Sequence, residues 1–417
     1  MTFQLNDEQQ VAVERMLQHL NTFNNQPFLV LKAPAGCGKT TTQSHVLANT
    51  SRRMVCTAPT NKAVKVMAEM LPPESESCTI YKLLGLRLMA NGEVKRIAGP
   101  ADTVDLSYYE GVIVDEASML NSTVMGHIRT ASNTNPHIRW IFMGDQYQLP
   151  PVLETTSEIW SETNVIELTK VMRTDNQILT LATNIRNIIA QGSSGVLSIK
   201  SDYDERGGVF ADTDFLDKLH EDAEACRAGT SKAISWRNET VNKLNAHVRK
   251  ALLPNWQEST WLPGERVTLL EPAKSLNDET VGTTDEEFTI DSVDVINHPM
   301  FGYLTVYALE VSADFDGRNE TLFALHESSQ AEFDKRCKNL AEEAKKDSWK
   351  WRVFWGFKES VHQVRHAYAQ SAHRSQGSTY GKTYVDWRDI MLNRRREEAL
   401  RCLYVAVSRP RHSLYLS

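Results

Sequence analysis

The sequence predicts an α/β protein built on doubly wound sheets of parallel strands. Four short apolar runs, PFLVLKA, RRMVCTAP, GVIVDEAS and IRWIFMGD, each end in a polar or small-residue loop, as strands buried on both faces do. Helical spacing over Thr41 to Asn49 and Asn61 to Leu71 lies between them, so strand, loop and helix alternate. The alternation returns with AISW (Ala233 to Trp236) followed by the helix-like ETVNKLNAHVRKALL, and again in GKTYVDW and the closing SLYLS.

At 417 residues the chain is too long for one core of ordinary size, and two or three domains are expected. It is 41% hydrophobic and 24% charged, with a net charge of −7. That balance offers no support for a wholesale basic coat around nucleic acid but leaves room for a local basic groove, because affinity follows the residues that face the phosphates. Six cysteines without a CxxC pair suggest neither a zinc ribbon nor a disulfide framework, so a reducing, cytoplasmic compartment is expected. No apolar run approaches the ~20 residues that span a bilayer, and MTFQLNDEQQ lacks the regions of a signal peptide. A soluble protein with no membrane partner is expected.

Each later element has its own signal. In LGLRLMANGEVKRIAG, Asn91-Gly92 is a type I′ turn signal between two strand-like runs, which predicts a β-hairpin within about 84–104. Taken alone, this would be a decorative hairpin. From Leu262 the runs ERVTLLEP, EEFTIDSVDVI, GYLTVYALEV and TLFAL are short and broken by Gly, Pro and Asp, as in a small barrel. Glu327 to Ala367 then turns helical and charged around SWKWRVFWGF, where Trp349, Trp351 and Trp355 are expected to form the packing core of an arm. The expected division is a first domain over 1–155, a second over 156–261 and 368–417, and an insertion over 262–367.

The stretch LKAPAGCGKTTT carries the chemistry. A phosphate loop needs backbone N–H groups at a helix N-terminus, a lysine for the β and γ phosphates, and a hydroxyl for Mg²⁺. Ala35, Gly36, Cys37, Gly38, Lys39, Thr40 and Thr41 supply these after the strand FLVL, and Ala33, standing where a glycine is usual, fits if its φ is negative. A metal carboxylate is required on a neighbouring strand, and VIVDEAS provides Asp115, with Glu116 placed to polarise the attacking water. At the end of IRWIF, Gln146 is positioned to report on the γ-phosphate. ATP and Mg²⁺ are therefore the expected ligands.

In order along nearly the whole chain, these segments resemble the superfamily 1 DNA helicases of the RecD/Dda-like branch. LNDEQQVAV is similar to the motif whose glutamine, here Gln9, reads adenine. LKAPAGCGKTTT and VIVDEAS match the two Walker motifs, and MGDQYQLPPV matches the third motif. SAHRSQGSTYGKTYVD and LYVAVSRPRHSLYL match the fifth and sixth. The resemblance implies two RecA-like P-loop NTPase domains, with Arg173 and Arg409 reaching across to the γ-phosphate and Gln376 and Gly377 facing the nucleotide. It implies a hairpin pin in the first domain and an SH3-like barrel with a helical arm inserted in the second. Single-stranded DNA would meet Pro59, Thr60, Thr79, Tyr81, His373 and Arg374, with Asn238 a further candidate. Tyr81 and Pro410 depart from the family's commoner histidine and alanine.

The activity implied is 5′→3′ translocation on single-stranded DNA with duplex unwinding, by a chain able to work as a monomer. A single-strand-binding protein is a candidate partner, and a phage or bacterial-type origin is suspected. Two alternatives stay open: a translocase that displaces proteins or remodels strands, and a nucleotide-gated DNA-binding switch. For isolated features the bland assignment is a helix cap for Thr60 or Thr79 and a solvated surface charge for either arginine.

Overall fold

The computed structural model describes residues 4–22, 24–88, 94–96, 106–151, 154–170, 177–211, 214–277, 279–314 and 316–417. The chain forms two compact units. One comprises Met1–Phe215, Ile234–Arg237 and Ser371–Ser417, the other Leu216–Ala233 and Asn238–Gln370.

The first sheet has the strand order Glu76–Thr79, Met54–Ala58, Gly111–Val114, Arg139–Gly144, Phe28–Lys32, Val165–Glu167. Every pairing in it is parallel. The four expected strands form its centre because each is buried along nearly its whole length, leaving no solvated face that would favour a hairpin. Parallel neighbours need crossovers, which the helices Lys39–Ala48, Asn61–Ala68 and Ser122–Thr134 provide. One apolar layer contains Met16, Leu20, Val46 and Met67, and the other Val124, Ile128, Trp140 and Phe142. The strand Val165–Glu167 pairs with Val30 to Lys32, so the first sheet takes in a strand beyond the boundary expected at 155. Its three residues, VIE, are too few for a period to show.

The second six-stranded sheet is ordered Ala369–Ser371, Ser231–Ser235, Tyr380–Val385, Pro410–Leu416, Gly207–Ala211, Asp202–Asp204. Within the first unit, the helices Gln177–Ala190 and Arg396–Val407 bury Ile185, Leu400 and Leu403 in a core shared with Val385 and Leu414. Of the segment expected to form a hairpin, Leu86–Leu88 pairs antiparallel with Val94–Arg96, Leu86↔Arg96 and Leu88↔Val94. Its turn, with Asn91 and Gly92, lies outside the described residues. All six cysteines are free. Among the described residues no helix is long and apolar enough to cross a membrane.

The second unit holds an antiparallel sheet ordered Asn319–Leu325, Thr305–Ala313, Glu287–Asn297, Arg266–Leu269, Val364–His366. The arm consists of the helices Gln330–Lys346 and Trp351–Lys358. Its core corrects the sequence expectation. Phe333, Leu340, Phe357 and Val361 fill it, whereas Trp349 is 70% exposed and Trp351 36% exposed. Composition alone could not separate them, since both kinds of aromatic fall in SWKWRVFWGF and only the helix's phase turns Phe357 inward.

Ionic pairs are buried beneath the sheet. Glu265, fully buried, accepts from Arg249 Nε at 2.5 Å and Nη2 at 3.0 Å, and from the Leu262 N–H at 2.9 Å; His366 Nε2 lies 3.4 Å away. Lys232, 1% exposed, meets Glu287 at 3.0 Å. Burial alone would push the Glu265 carboxyl up, but the nearby His366 and the hydrogen bonds from Arg249 outweigh it and hold it below the ordinary carboxylate value. Its folded value being depressed, the group adds stability above the unfolded value and loses it as pH falls through the folded one. Glu265→Ala should therefore cost about 3–5 kcal/mol at pH 7, by stranding a buried guanidinium. Thermal melting across pH should show the difference from the parent narrowing in acid; an unchanged melting temperature at pH 7 would contradict the assignment.

Candidate nucleotide site and strand-contact segments

The strand Phe28–Lys32 delivers the phosphate loop, whose entry is pinned by the Ala33 N–H donating to the Gly144 carbonyl at 2.9 Å. Ala33 is not among the residues with left-handed backbone, so its methyl group is accommodated. Gly36 and Gly38 do take positive φ, 85° and 78°. At Gly38 that left-handed φ favours glycine, and a Cβ would also displace Gln9 Nε2, 2.2 Å away. Gly38 is also the N-cap of Lys39–Ala48 and offers no capping side chain, which leaves the first-turn N–H groups to an incoming anion. Thr40 and Thr41 lie in that turn. Lys39 Nζ donates to the Ala33 carbonyl at 3.1 Å and the Pro34 carbonyl at 3.5 Å, which keeps the ammonium at the loop. Cys37 is buried, and burial pushes its thiol up to about 11, so it serves as packing with a useful backbone.

Gln9 is structurally engaged at both ends of its amide. Its Oε1 accepts from the Asn6 N–H at 3.0 Å, completing a capping box on Asp7–Asn21, and its Nε2 donates to the Cys37 carbonyl at 3.0 Å. It therefore holds the loop to the first helix.

Asp115 and Glu116 follow the strand Gly111–Val114. The Asp115 N–H donates to the Thr57 carbonyl at 2.8 Å, and its Oδ1 accepts from the Glu116 N–H at 2.8 Å. Glu116 has φ 51° and ψ 40°, a left-handed conformation that non-glycine residues seldom adopt. Its buried Oε2 has no hydrogen-bond partner. Burial pushes both carboxyls up. Lys39 opposes this at Asp115; at Glu116 the Asp115 charge raises the value further, against Lys39 and Arg409. A strained carboxylate of raised basicity with an unpartnered oxygen is suited to taking a proton.

Asp145, 1% exposed, gathers three donors that the sequence reading did not foresee. Its Oδ1 accepts from the Tyr147 N–H at 3.0 Å; its Oδ2 accepts from the Ala35 N–H at 3.2 Å and the Tyr404 hydroxyl at 2.6 Å. One turn earlier on Arg396–Val407, Arg401 Nη1 donates to the carbonyls of Gln146 at 2.7 Å and Gln148 at 2.9 Å. Asp145 and Tyr404 lie 259 residues apart, so nothing local in either motif signals their pairing. Gln146 lines a cavity of about 220 Å³ with Lys32, Pro34, Glu167, Thr169 and Arg186. Glu8, also not foreseen, accepts from the Thr169 N–H at 2.8 Å and hydroxyl at 2.7 Å and from the Lys170 N–H at 2.9 Å. It tethers the segment leading to Arg173, which lies outside the described residues.

Arg409 is buried and close enough for its charge to act on Glu116. Its Nε donates to the Val405 carbonyl at 2.9 Å, its Nη1 to the Ser378 carbonyl at 3.1 Å and its Nη2 to the Ser408 hydroxyl at 2.9 Å. It is thus no solvated surface charge. Gln376 has a buried Nε2 without a partner, and Gly377 takes φ 73°.

The strand-contact candidates are more ordinary. Thr60 caps Asn61–Ala68 by accepting from the Ala63 N–H at 3.1 Å, and Thr79 caps Ile80–Leu83 by accepting from the Lys82 N–H at 3.1 Å. Pro59 is buried, and Tyr81 packs half-buried on the first core. His373 is exposed and Arg374 half-buried on the turn after Ala369–Ser371. Asn238 opens the helix Asn238–Leu252 in the second unit, where its Oδ1 accepts from Arg365 Nη1 at 3.1 Å.

Comparison with known proteins bears on the same segments. Residues 4–207 match the AAA domain family, and residues 366–417 match the UvrD-like helicase C-terminal domain. The chain is 23% identical to the ATP-dependent DNA helicase dda of Enterobacteria phage T4, over 93% of each chain. It is 22% identical to the uncharacterized protein R530 of Acanthamoeba polyphaga mimivirus, over 97% of this chain and 98% of that one. Among solved structures, a Bacteroides Pif1 bound to single-stranded DNA superposes with a TM-score of 0.56 at 16% identity, and Pif1 from a study of unwinding at forked duplex DNA with 0.55 at 17%. Each alignment covers 99% of this chain and 92% of the other, which shows a shared fold. The two family matches take in the phosphate loop and the closing segment that bears Arg409, and in these and the other ordered motifs the chain is similar to the superfamily 1 helicases of the Pif1/Dda type.

Proposed function

We propose that the chain is an ATP-dependent DNA helicase that translocates 5′→3′ on single-stranded DNA and unwinds the duplex it meets. One observation carries this. A phosphate loop and a strained Glu116 stand at the edge of one sheet, and the helix that leads into the buried Arg409 is hydrogen-bonded to the same edge, Tyr404 to Asp145 at 2.6 Å and Arg401 to the Gln146 carbonyl at 2.7 Å.

Each residue then has a task. Lys39 and the first-turn N–H groups bind the β and γ phosphates. Mg²⁺ would be shared between Thr40, Asp115 and the phosphates, and would neutralise phosphate charge; among the described residues no three acidic, histidine or cysteine side chains cluster into a cage of their own. Glu116 takes the proton as water attacks the γ-phosphorus and the bond to the bridging oxygen breaks. Gln146 orients that water, and Arg409 and Arg173 stabilise the charge that develops as the two sheets close. Closure and reopening shift two strand-gripping surfaces relative to one another, which converts hydrolysis into steps. Thr60 and Thr79 can cap and grip at once, because a hydroxyl that accepts an N–H still has its own O–H to give to a phosphate. A nucleotide-gated switch would have no use for a base with an unpartnered buried oxygen.

Other parts of the proposal rest on the resemblance. The pair Leu86–Leu88 and Val94–Arg96 is assigned as the pin, residues 262–367 as an SH3-like insertion with its arm, and Gln9 as the reader of adenine. The domain division 1–155, 156–261 with 368–417, and 262–367 is kept with the first boundary moved beyond Glu167. A monomer acting on single strands and junctions, alongside a single-strand-binding protein in the cytoplasm, completes it.

Strand displacement on duplexes with a 5′ or a 3′ single-stranded tail tests the central claim. Unwinding should require ATP and the 5′ tail, and unwinding from the 3′ tail alone would reverse the polarity. The ATP site is tested by three variants. Glu116→Gln should bind nucleotide yet lose DNA-stimulated hydrolysis, whereas Lys39→Ala should lose both. Because Glu116 is raised, the parent's acid limb should lie at higher pH than an ordinary carboxylate would give, since the base must be deprotonated to act. Arg409→Ala should lower turnover about 10³-fold and also lower the melting temperature, since Val405 and Ser378 lose a donor. Normal hydrolysis by Glu116→Gln would remove it as the base.

A further inference from the structure

Buried carboxylates need donors, and the donors chosen by Asp145 come from three separate pieces of the ATP site. Ala35 is the shoulder of the phosphate loop, Tyr147 belongs to the loop that carries Gln146, and Tyr404 stands on the helix that ends just before Arg409. The backbone contacts are local to the first sheet. Among the described residues, the Tyr404 phenol is the side chain that hydrogen-bonds Asp145 from the segment bearing Arg409.

Two further contacts make Tyr404 more than a filler. Arg401 and Tyr404 are three residues apart on one helix and so share a face; both meet the stretch Asp145 to Gln148, one through carbonyls and one through the carboxylate. At the other end, Arg409 folds back to donate to the Val405 carbonyl, so its base is fixed to the turn that holds Tyr404. Any shift of this helix relative to the 145–148 loop therefore moves Arg409 and strains the loop shoulder together.

Building on the ATPase reading above, we infer that Tyr404 is a positioning residue for hydrolysis: its hydroxyl on Asp145 keeps the phosphate loop, the Gln146 loop and the Arg409 helix in one register. Burial and the Asp145 charge hold the phenol well above its usual titration range, so it remains a donor at working pH and does not act as a pH switch.

The test uses the full chain. Tyr404→Phe removes one oxygen, and Asp145→Asn keeps shape while placing a donor where the phenol donates. ATP turnover with saturating oligo-dT would be measured alongside KM, the affinity for a fluorescent ADP and the melting temperature. Y404F is expected to reduce kcat tenfold or more, roughly a 1.4 kcal/mol effect on the barrier, while KM and ADP affinity stay within about threefold. In the double variant, adding Y404F to D145N should cost less than about twofold, because both remove one contact. A purely structural role would instead lower the melting temperature and leave kcat and KM of the folded protein at parental values. That result, or additive losses, overturns the inference while leaving the helicase proposal standing. If Y404F is too unstable to assay, D145N alone decides, a parental kcat counting against. A parent with no DNA-stimulated hydrolysis overturns both.

Discussion

The candidate ATP site is organised by a carboxylate that touches no phosphate in the proposed mechanism. Asp145 is buried, and an unsatisfied charge there would be costly, so the chain supplies donors from wherever it can reach. Satisfying that one group sets the phosphate loop through Ala35, the third-motif loop through Tyr147 and the final helix through Tyr404. These are parts of a single hydrogen-bonding solution, and the helix that leads into Arg409 is one of them.

The sheet explains why the reactive groups are neighbours at all. In a parallel sheet all strands point the same way, so their following loops collect at one edge. The strands Gly111–Val114, Arg139–Gly144 and Phe28–Lys32 are consecutive in the sheet order, which sets Asp115 and Glu116, Asp145 and Gln146, and the phosphate loop side by side. Local rules are broken there and hardly elsewhere in the sheet. Glu116 sits in left-handed backbone with an unpartnered oxygen, a combination that the surrounding packing must sustain.

The second unit follows a different logic. Its sheet is antiparallel, with a core of Val267, Leu269, Phe288 and Leu309. Beside that core it keeps buried ionic groups, Glu265 with Arg249 and Lys232 with Glu287. Buried pairs contribute little net stability but penalise any arrangement that separates them, so they pin strand Arg266–Leu269 and its neighbours to one register. On the arm, aromatic content misled because phenylalanine and tryptophan alternate within one helical stretch. Phase around the helix put Phe357 inside and Trp351 at the margin, while Trp349, on the turn before it, is 70% exposed.

Much of this protein was legible in order along the chain. Apolar runs named the four central strands, and the spacing of glycine, lysine and threonine after FLVL named the phosphate loop, because backbone geometry at a strand-to-helix turn tolerates few residues. Helix ends were nearly right, with Lys39–Ala48 starting two residues early because Gly38 forms the cap. Three-residue strands such as Val165–Glu167 escaped, since no periodicity can show in so short a stretch. The roles of Asp145, Tyr404, Arg401 and Glu8 escaped for another reason: each acts on a partner more than a hundred residues away in the chain. Local sequence determines which backbone shapes are affordable. Only folding decides which distant donor a buried oxygen will meet, because that depends on where several elements come to rest against each other.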